Sequence, residues 1–414
     1  MKVTRSHRRW AVAAVTTAAL LALVGSVSAS AAKQRRALDT VTVDTLPIAN
    51  ALPLDLGIKK GFFDQQGIQI KKTVLQSGND IVLALANHNG DIGYLGYVPM
   101  MIARTSGIPL TLVAASEAEG TSVSDNWQNI LVKGSSPIKS ASDLAGKTIA
   151  VNALKGVGEV MIRAALKKVG VDPASVKLLA LPFPAMRTAL NNGQVDAIWV
   201  PEPFNTQGIN IDGDRIVMAP GPVLGKYFPI GGYAALQDWA KDNPALAKRF
   251  NTAINQSLTY AQTHSDEIRA MLPPGTQNVR LPIWSPLVDR RQLLTLAKYS
   301  KEFGVISTLP NLTQLVPASI ASGLTLQGAV GPGFTISLKL DGKPVTTLKA
   351  GQYTVVVGDR SKIHNFHLTG PGVNKATSVA RTGPTTWTLT LRKGVYRFQC
   401  DPHRSQMKGS FRVS

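Results

Sequence analysis

The sequence predicts a two-lobed α/β protein that is followed by a small all-β sandwich. From residue 41 to about residue 321, short β-branched runs alternate with helical patterns, as in βα units on a largely parallel sheet. From residue 325 onward, short strand-like runs are separated by Gly- and Pro-containing turns, and no helical pattern follows. The chain has 414 residues, of which 44% are hydrophobic and 17% are charged. This composition is globular, and the length suffices for about two to three folding units.

The first 31 residues have the pattern of a secretory signal peptide. Four basic side chains precede an apolar run over residues 11–27, and small residues at 29–31 form a cleavage site. A membrane anchor is the alternative, but the apolar run is shorter than the roughly 20 residues that a spanning helix needs. Since no Cys lies near the cleavage site, we expect an exported protein without a lipoprotein anchor, followed by a linker over residues 32–40. Arg8 and Arg9 leave export by a twin-arginine route open.

Two clusters of alternating strands and helices predict the two lobes. In the first cluster we expect strands over residues 41–46, 68–75, 91–94 and 110–115 and helices over residues 52–66, 80–87 and 98–106. In the second cluster we expect strands over residues 128–132, 148–151, 176–181 and 197–200 and helices over residues 157–169 and 184–191. Helical patterns dominate residues 235–303.

The chain leaves the first cluster near Trp127 and returns to it near Gly231. This path predicts a domain over residues 41–321, with lobe 1 formed by residues 41–128 and 231–321 and lobe 2 by residues 129–230. Two lobes joined by crossing segments favour a ligand cleft between them.

Residues 333–414 are expected to form the sandwich, after a linker over residues 322–332. Its strands are expected over residues 334–340, 351–357, 363–369, 387–391, 396–400 and 408–413. From residue 324 to the end, 13 Lys and Arg stand against three Asp and no Glu. This excess favours an anionic envelope surface or an acidic redox partner, with ordinary solvated charge as the alternative. Nucleic acid binding is not expected of an exported chain that has no recognition motif.

Several short motifs occur in a characteristic order within residues 41–321. They include GFF at 61–63, DLAGKTIAV at 143–151, GQVDA at 193–197 and EPF at 202–204. In this order the segment resembles the nitrate/sulfonate/taurine-type solute-binding proteins of ABC importers. The resemblance implies a type II periplasmic-binding-protein fold, a small organic or oxyanionic ligand, an ABC permease as partner and no enzymatic activity.

The matching motif positions imply a set of ligand-binding residues on the walls of the cleft. They are Pro47, Asn50, Ser77, Asn79, Gly96, Tyr97, Asn152, Gly156, Gly158, Glu202 and Phe204. Helix N-termini at these loops suit an anionic group, and glycine lets the backbone approach a ligand closely, although an ordinary turn is the better explanation for any single Gly. Glu202 favours a cationic or hydrogen-bond-donating ligand, with a lobe-packing or hinge role as the alternative. The identity of the ligand therefore stays open.

The only cysteine of the chain lies in a short motif near the C-terminus. Cys400, His403 and Met407 have the spacing C-x2-H-x3-M, and a His-Asn pair begins upstream at His364. This pattern resembles the cupredoxins, so it implies one type 1 copper site with His364, Cys400, His403 and Met407 as ligands. His367 is the other upstream histidine, but His364 precedes the Asn that the family pattern requires. A cupredoxin-like sandwich that has lost its copper is the alternative.

Three functions are compatible with these patterns. The leading hypothesis is the solute-binding component of an ABC importer with an accessory copper-binding domain. The second is a copper-handling or electron-transfer protein in which the two lobes act as a docking module. The third is a catalytic offshoot of the binding-protein fold, and residues 41–321 argue against it because they contain no Cys for a nucleophile or a cysteine-rich metal site.

Overall fold

The computed structural model describes residues 38–276, 278–317, 319–322, 325–340, 343–348, 350–380 and 382–414. The signal peptide expected over residues 1–31 lies outside this part of the chain. Among the described residues, no helix combines the length and the apolar character needed to cross a membrane.

Lobe 1 begins with alternating strands and helices. Its first elements are β1 (Asp39–Thr45), α1 (Leu52–Lys59), α2 (Phe62–Gln65), β2 (Ile68–Val74), α3 (Gly78–Ala86), β3 (Ile92–Gly96), α4 (Tyr97–Thr105) and β4 (Leu110–Ala118). The sequence predicted one helix over residues 52–66, but the structure divides it into α1 and α2. Gly61 adopts a left-handed conformation with φ of 71°, which ends one helix and starts the next.

Lobe 2 is formed by the middle of the chain. Its elements are β5 (Gln128–Val132), β6 (Thr148–Val151), α5 (Val157–Lys168), β7 (Lys177–Ala180), α6 (Phe183–Asn191), β8 (Ala197–Pro201), α7 (Phe204–Gln207), β9 (Arg215–Met218) and α8 (Pro220–Leu224). The sheet order is β7-β6-β8-β5-β9, and β5 runs antiparallel to both of its neighbours.

The chain then returns to lobe 1. This part comprises β10 (Pro229–Leu236), α9 (Gln237–Asp242), α10 (Pro244–Thr263), α11 (Ser265–Arg269), β11 (Ile283–Trp284), β12 (Val288–Asp289), α12 (Arg290–Glu302), α13 (Leu312–Leu315) and β13 (Ala321–Ser322). The lobe 1 sheet has the order β11-β4-β10-β3-β1-β2, and β10 lies antiparallel between β3 and β4. Both lobe sheets are therefore mixed rather than largely parallel, because the strands that follow the crossings, β5 and β10, enter in the reverse direction.

Two segments connect the lobes side by side. The first follows β4 and leads to β5, and the second leads from α8 into β10. The backbone N–H of Glu119 donates to the carbonyl of Phe228 at 2.8 Å, which ties the two segments together. The Trp127 indole N–H donates to the carbonyl of Ala118 at 3.0 Å. These bonds form the hinge, near the two positions where the sequence predicted the crossings.

The C-terminal sandwich consists of two five-stranded sheets. Its strands are β14 (Thr325–Val330), β15 (Ile336–Leu340), β16 (Lys343–Pro344), β17 (Thr347–Leu348), β18 (Gly351–Asp359), β19 (His367–Gly370), β20 (Val373–Ala376), β21 (Gly383–Leu391), β22 (Gly394–Gln399) and β23 (Lys408–Val413). The sheet orders are β16-β15-β14-β18-β21 and β17-β23-β22-β19-β20. Their inner faces enclose one core that includes Phe366, Tyr396 and Phe411.

The structure differs from two expectations in this region. Residues 325–330, expected in the linker, form β14, which pairs with both β15 and β18. Residues 363–366, expected at the start of a strand, do not belong to one, and β19 begins at His367. The side chains of His364, Asn365 and Phe366 are nevertheless buried, because this segment turns inward toward the loop that contains Cys400.

Candidate functional site

A cleft that holds a cavity of about 50 Å³ lies between the two lobes. Lobe 1 contributes Tyr94 and Glu117 to its wall, and lobe 2 contributes Phe183 and Trp199. The lobes also touch directly, since the core around α3 and α4 includes Val160 and Met161 of α5. The two lobes therefore contact each other beside a mostly apolar and aromatic pocket.

Glu117 is the acidic side chain on the described cleft wall. It is 4% exposed, and its Oε1 accepts a hydrogen bond from the Tyr94 hydroxyl at 2.8 Å. Its other oxygen, Oε2, is buried and has no hydrogen-bond partner among the described residues. Burial raises the pKa of Glu117 to about 7, while the nearby Ser116, Tyr94 and Asn50 side chains partly oppose the rise. A residue of the cleft wall thus carries a buried acceptor atom without a partner among the described residues.

Three helices begin at the cleft wall. Gly78 and Asn79 open α3, Gly96 precedes α4, and Gly156 precedes α5. At α4 and α5 no side chain caps the first turn, so backbone N–H groups are free to bind an acceptor. These termini add partial positive charge to the cleft, although none of the described lining residues is Lys, Arg or His.

The structure brings together four of the eleven residues that the sequence indicated. Asn79 and Gly96 of lobe 1 and Asn152 and Gly156 of lobe 2 line the cleft. Pro47 lies between two lining residues, Leu46 and Ile48, without lining the cleft itself.

The remaining six indicated residues lie behind the wall. Ser77 caps α3 by accepting from the Asp80 N–H at 3.2 Å, and Asn50 and Tyr97 are fully buried. Gly158 packs against the Trp199 ring, and the Phe204 ring stacks on Phe183 at 5.9 Å.

Glu202 is also behind the wall, and it has a structural role. Its carboxylate accepts hydrogen bonds from the Thr206 N–H at 2.9 Å and from the Arg280 N–H at 3.2 Å. These bonds join the start of α7 to lobe 1, which corresponds to the hinge alternative for this residue.

The sequence reasoning missed Glu117, Trp127, Gln128 and Trp199, which all line the cleft. One signal was available for Glu117. It is an acidic residue near the end of β4, a strand that is otherwise apolar or small and buried throughout. A carboxylate in such a strand is costly to bury and therefore indicates a functional position.

A second candidate site lies in the sandwich, where three of the four expected metal ligands converge. The Nδ1 atoms of His364 and His403 are 3.0 Å apart. The Cys400 Sγ is 3.7 Å from Nδ1 of His364 and 3.5 Å from Nδ1 of His403. Met407 is buried and closes the same loop, since its carbonyl accepts from the Cys400 N–H at 2.9 Å.

The spacing of these three donor atoms fits a transition-metal ion. The three separations define a triangle whose circumscribed circle has a radius of about 2.0 Å, and metal–nitrogen and metal–sulfur bonds are about 2.0–2.3 Å. Two imidazoles and a thiolate in a trigonal arrangement, together with a methionine thioether, are the donor set of a blue-copper site, and Met407 belongs to the same loop. The residues present thus fit a copper ion.

A hydrogen-bonded network supports the loop that contains Cys400 and His403. The Asn365 amide accepts from the Asp401 N–H at 2.7 Å and donates to the Asp401 carboxylate at 2.9 Å. The carboxylate also contacts the His367 ring at 2.9 Å. Burial alone would raise the pKa of Asp401, but hydrogen bonds from Asn365, His367 and Gln399 outweigh it and lower the pKa to about 2. His367 therefore pairs with Asp401 and does not belong to the ligand cluster.

Residues 49–268 match the profile of the family described as NMT1/THI5 like, which is more than half of the chain. A taurine-binding periplasmic protein of Escherichia coli is 27% identical over 203 residues, which are 48% of this chain and 60% of that protein. A nitrate/nitrite binding protein of Nostoc sp. is 25% identical over 224 residues, 50% of this chain and 51% of that protein. The chain thus spans about half to three-fifths of the length of these relatives.

The fold is also that of solved binding proteins. The alkanesulfonate-binding protein of Xanthomonas axonopodis pv. citri bound to MOPS superimposes with a TM-score of 0.56 at 18% identity, covering 68% of this chain and 97% of that one. The two lobes therefore form a periplasmic-binding-protein-type α/β fold, as the sequence predicted. The two relatives and the solved structure named above are each described as binding proteins.

Proposed function

The chain belongs to the NMT1/THI5-like family, and we propose that it is the extracytoplasmic solute-binding component of an ABC importer. Its ligand is a small compound of the nitrate, taurine or sulfonate group, and its partner is a membrane permease that takes the ligand from the closed lobes. The observation that carries this proposal is the cleft between two hinged lobes, which is lined by residues of both lobes. A cleft that two hinged lobes can open and close fits capture and release of a small solute.

Binding measured directly on the purified protein tests this function. Isothermal titration calorimetry with taurine, nitrate and short alkanesulfonates should give saturable one-to-one binding for at least one of them. A bound ligand should also raise the melting temperature, since a ligand at about a hundredfold its Kd stabilises the folded state by about 2.7 kcal/mol. If no member of the panel binds, solute delivery in this group is excluded as the function.

For the sandwich we propose an accessory type 1 copper site held by His364, Cys400, His403 and Met407. When bound there, copper would accept and donate one electron. The support is the donor set and the separations of 3.0–3.7 Å among the three converging donor atoms.

Substitutions at His403 and His367 distinguish a histidine that binds copper from a histidine that only lies near the site. The protein loaded with Cu(II) should be blue, and His403→Ala and Cys400→Ser should abolish the colour. His367→Ala is the matched control, because His367 contacts Asp401 instead of the donor cluster; this variant should retain the colour. A colourless wild-type protein that takes up no copper would contradict the copper site.

The same cluster keeps electron transfer as a second candidate function, with the lobes as a docking module. Its specific expectation is rapid and reversible one-electron reduction of the copper-loaded chain. If copper binds but cannot be reduced and reoxidised, electron transfer is excluded and the importer function is the one candidate that remains.

A further inference from the structure

The cleft has two poles of opposite electrostatic character. One pole is Glu117, which lines the cleft and whose Oε2 is buried and has no hydrogen-bond partner among the described residues. A buried carboxylate oxygen in this condition costs free energy unless a donor from a ligand reaches it. The aromatic walls formed by Tyr94, Trp127 and Trp199 also favour a cation, because the faces of aromatic rings attract positive charge.

The other pole is formed by the N-termini of α4 and α5. These helices have nine and twelve residues, and their N-cap residues, Gly96 and Gly156, provide no side-chain cap. The free N–H groups and the helix dipoles suit an anionic head group. Glu159, the acidic residue in the first turn of α5, is paired with Arg163 at 3.1 Å, and its carboxylate accepts from the Lys155 N–H.

The register of lobe 1 sets the distance between the poles. Gly231 on β10 is opposite Gly96 on one side and opposite Glu117 on the other. Two strand spacings, about 9–10 Å, therefore separate the backbones of Glu117 and Gly96. The Glu117 side chain extends over Gly231, where a Cβ would lie 2.8 Å from Oε1. This extension places the carboxylate within the same small cleft as the helix N-termini.

We propose that the ligand is a short zwitterion that carries an ammonium group at one end and an acidic group at the other. The ammonium N–H donates to Oε2 of Glu117, and the acidic group accepts from the N–H groups at the starts of α4 and α5. A bare oxyanion such as nitrate would satisfy only the second pole and leave Glu117 without a donor. This inference rests on the proposed solute-binding function and selects one ligand class within it.

A matched set of ligands tests the two poles separately. Calorimetric titrations of the purified protein would use taurine, ethanesulfonate, which lacks the ammonium group, and ethylammonium, which lacks the sulfonate. We expect taurine to bind at least about tenfold more tightly than either, since each pole adds a charge-assisted hydrogen bond. β-Alanine replaces the sulfonate by a carboxylate and distinguishes an aminosulfonate from an amino acid as the zwitterion; tighter binding of either one supports the class.

A variant identifies Glu117 as the recognition residue. Glu117→Gln should weaken binding of the zwitterion about ten- to a hundredfold and leave ethanesulfonate unchanged or bound more tightly. Asp214→Asn is the matched control, because Asp214 is equally buried and its carboxylate oxygens also lack partners among the described residues, but it does not line the cleft; it should retain binding within about threefold.

The outcomes separate the two proposals. If ethanesulfonate or nitrate binds as tightly as the zwitterions, the inference fails while the importer function stands. If ethylammonium alone binds as tightly, the anionic pole is wrong. If none of these ligands binds, the proposed function itself fails. Should Glu117→Gln not fold, the ligand comparison on the wild-type protein still decides the question.

Discussion

Glu117 and Glu119 form a pair of buried carboxyl groups at the hinge side of lobe 1. Each has one oxygen that is buried without a partner among the described residues. Burial raises the pKa of Glu119 to about 8 and that of Glu117 to about 7. The Gln128 side chain, which lines the cleft, donates to Glu119 and thereby links the two groups to the wall. In the ligand-free protein, the burial of these two carboxyl groups therefore costs free energy. A cationic ligand group next to Glu117 would reduce that cost.

The pH dependence of stability should reveal this cost. In the folded state both groups hold their protons to a higher pH than the ordinary value near 4.5. The stability that they contribute is therefore complete below about pH 4.5 and is lost as the pH rises through about 7 to 8. We expect the unfolding free energy of the ligand-free protein to fall by a few kcal/mol between about pH 5 and about pH 9.

Denaturant titrations at the two pH values check this expectation. The double variant with Glu117→Gln and Glu119→Gln should lose most of the decrease, because its amides do not titrate. An identical decrease in the double variant would assign the pH dependence to other groups.

At the scale of single elements, the glycines of β10 leave the space in which the Glu117 side chain lies. Gly231 and Gly232 lie in the middle of this strand, between β3 and β4. A Cβ at Gly231 would lie 2.8 Å from Glu117 Oε1 and 3.0 Å from the Leu95 carbonyl oxygen. The glycine thus allows the Glu117 side chain to pack across β10 toward the cleft.

Gly231→Ala should therefore disturb both stability and ligand binding. The added methyl group must displace the Glu117 carboxylate, and overpacking of this kind costs about 1–3 kcal/mol. Gly358→Ala on β18 is the control, because a Cβ there meets no atom within 4 Å among the described residues. Equal stability of the two variants in urea unfolding would show that β10 tolerates a side chain at this position.

At the scale of the whole molecule, the lobes and the sandwich have separate hydrophobic cores. The core of the sandwich runs from Leu326 to Val413 and includes Cys400 and Met407, whereas the cores of the lobes use residues up to Ala321. Units with cores of their own generally unfold independently. The two candidate sites lie in different units.

Calorimetry should show two unfolding transitions that respond to different ligands. Copper should raise the transition of the sandwich, and the cleft ligand should raise the transition of the lobes, because each binds only one folded unit. Cys400→Ser should remove the effect of copper and leave the effect of the cleft ligand. A single transition that both ligands raise would show that the two parts unfold together.

Local patterns in the chain are sufficient for much of this architecture. Hydrophobic periodicity predicted most of the strands and helices of the lobes. The C-x2-H-x3-M spacing predicted that Cys400 and His403 lie close together, because a short loop connects them. The sequence also indicated the helix N-termini at Asn79, Gly96 and Gly156. The strand β14 was missed because a six-residue run between two turns does not differ from a linker unless its partners, β15 and β18, are known.

The sequence by itself determined the division into two α/β lobes and a sandwich, the family of the lobes and the donor types of the candidate metal site. Only the tertiary structure decided which acidic side chain faces the cleft. Glu202 lies in the family motif, yet its carboxylate already accepts hydrogen bonds from the backbone N–H groups of Thr206 and Arg280. Glu117 stands in no motif, and β10 and β3 from distant parts of the chain place it beside Tyr94 with one oxygen free. Hydrogen-bond satisfaction depends on neighbours in space, so residue type and spacing could not distinguish these two carboxylates.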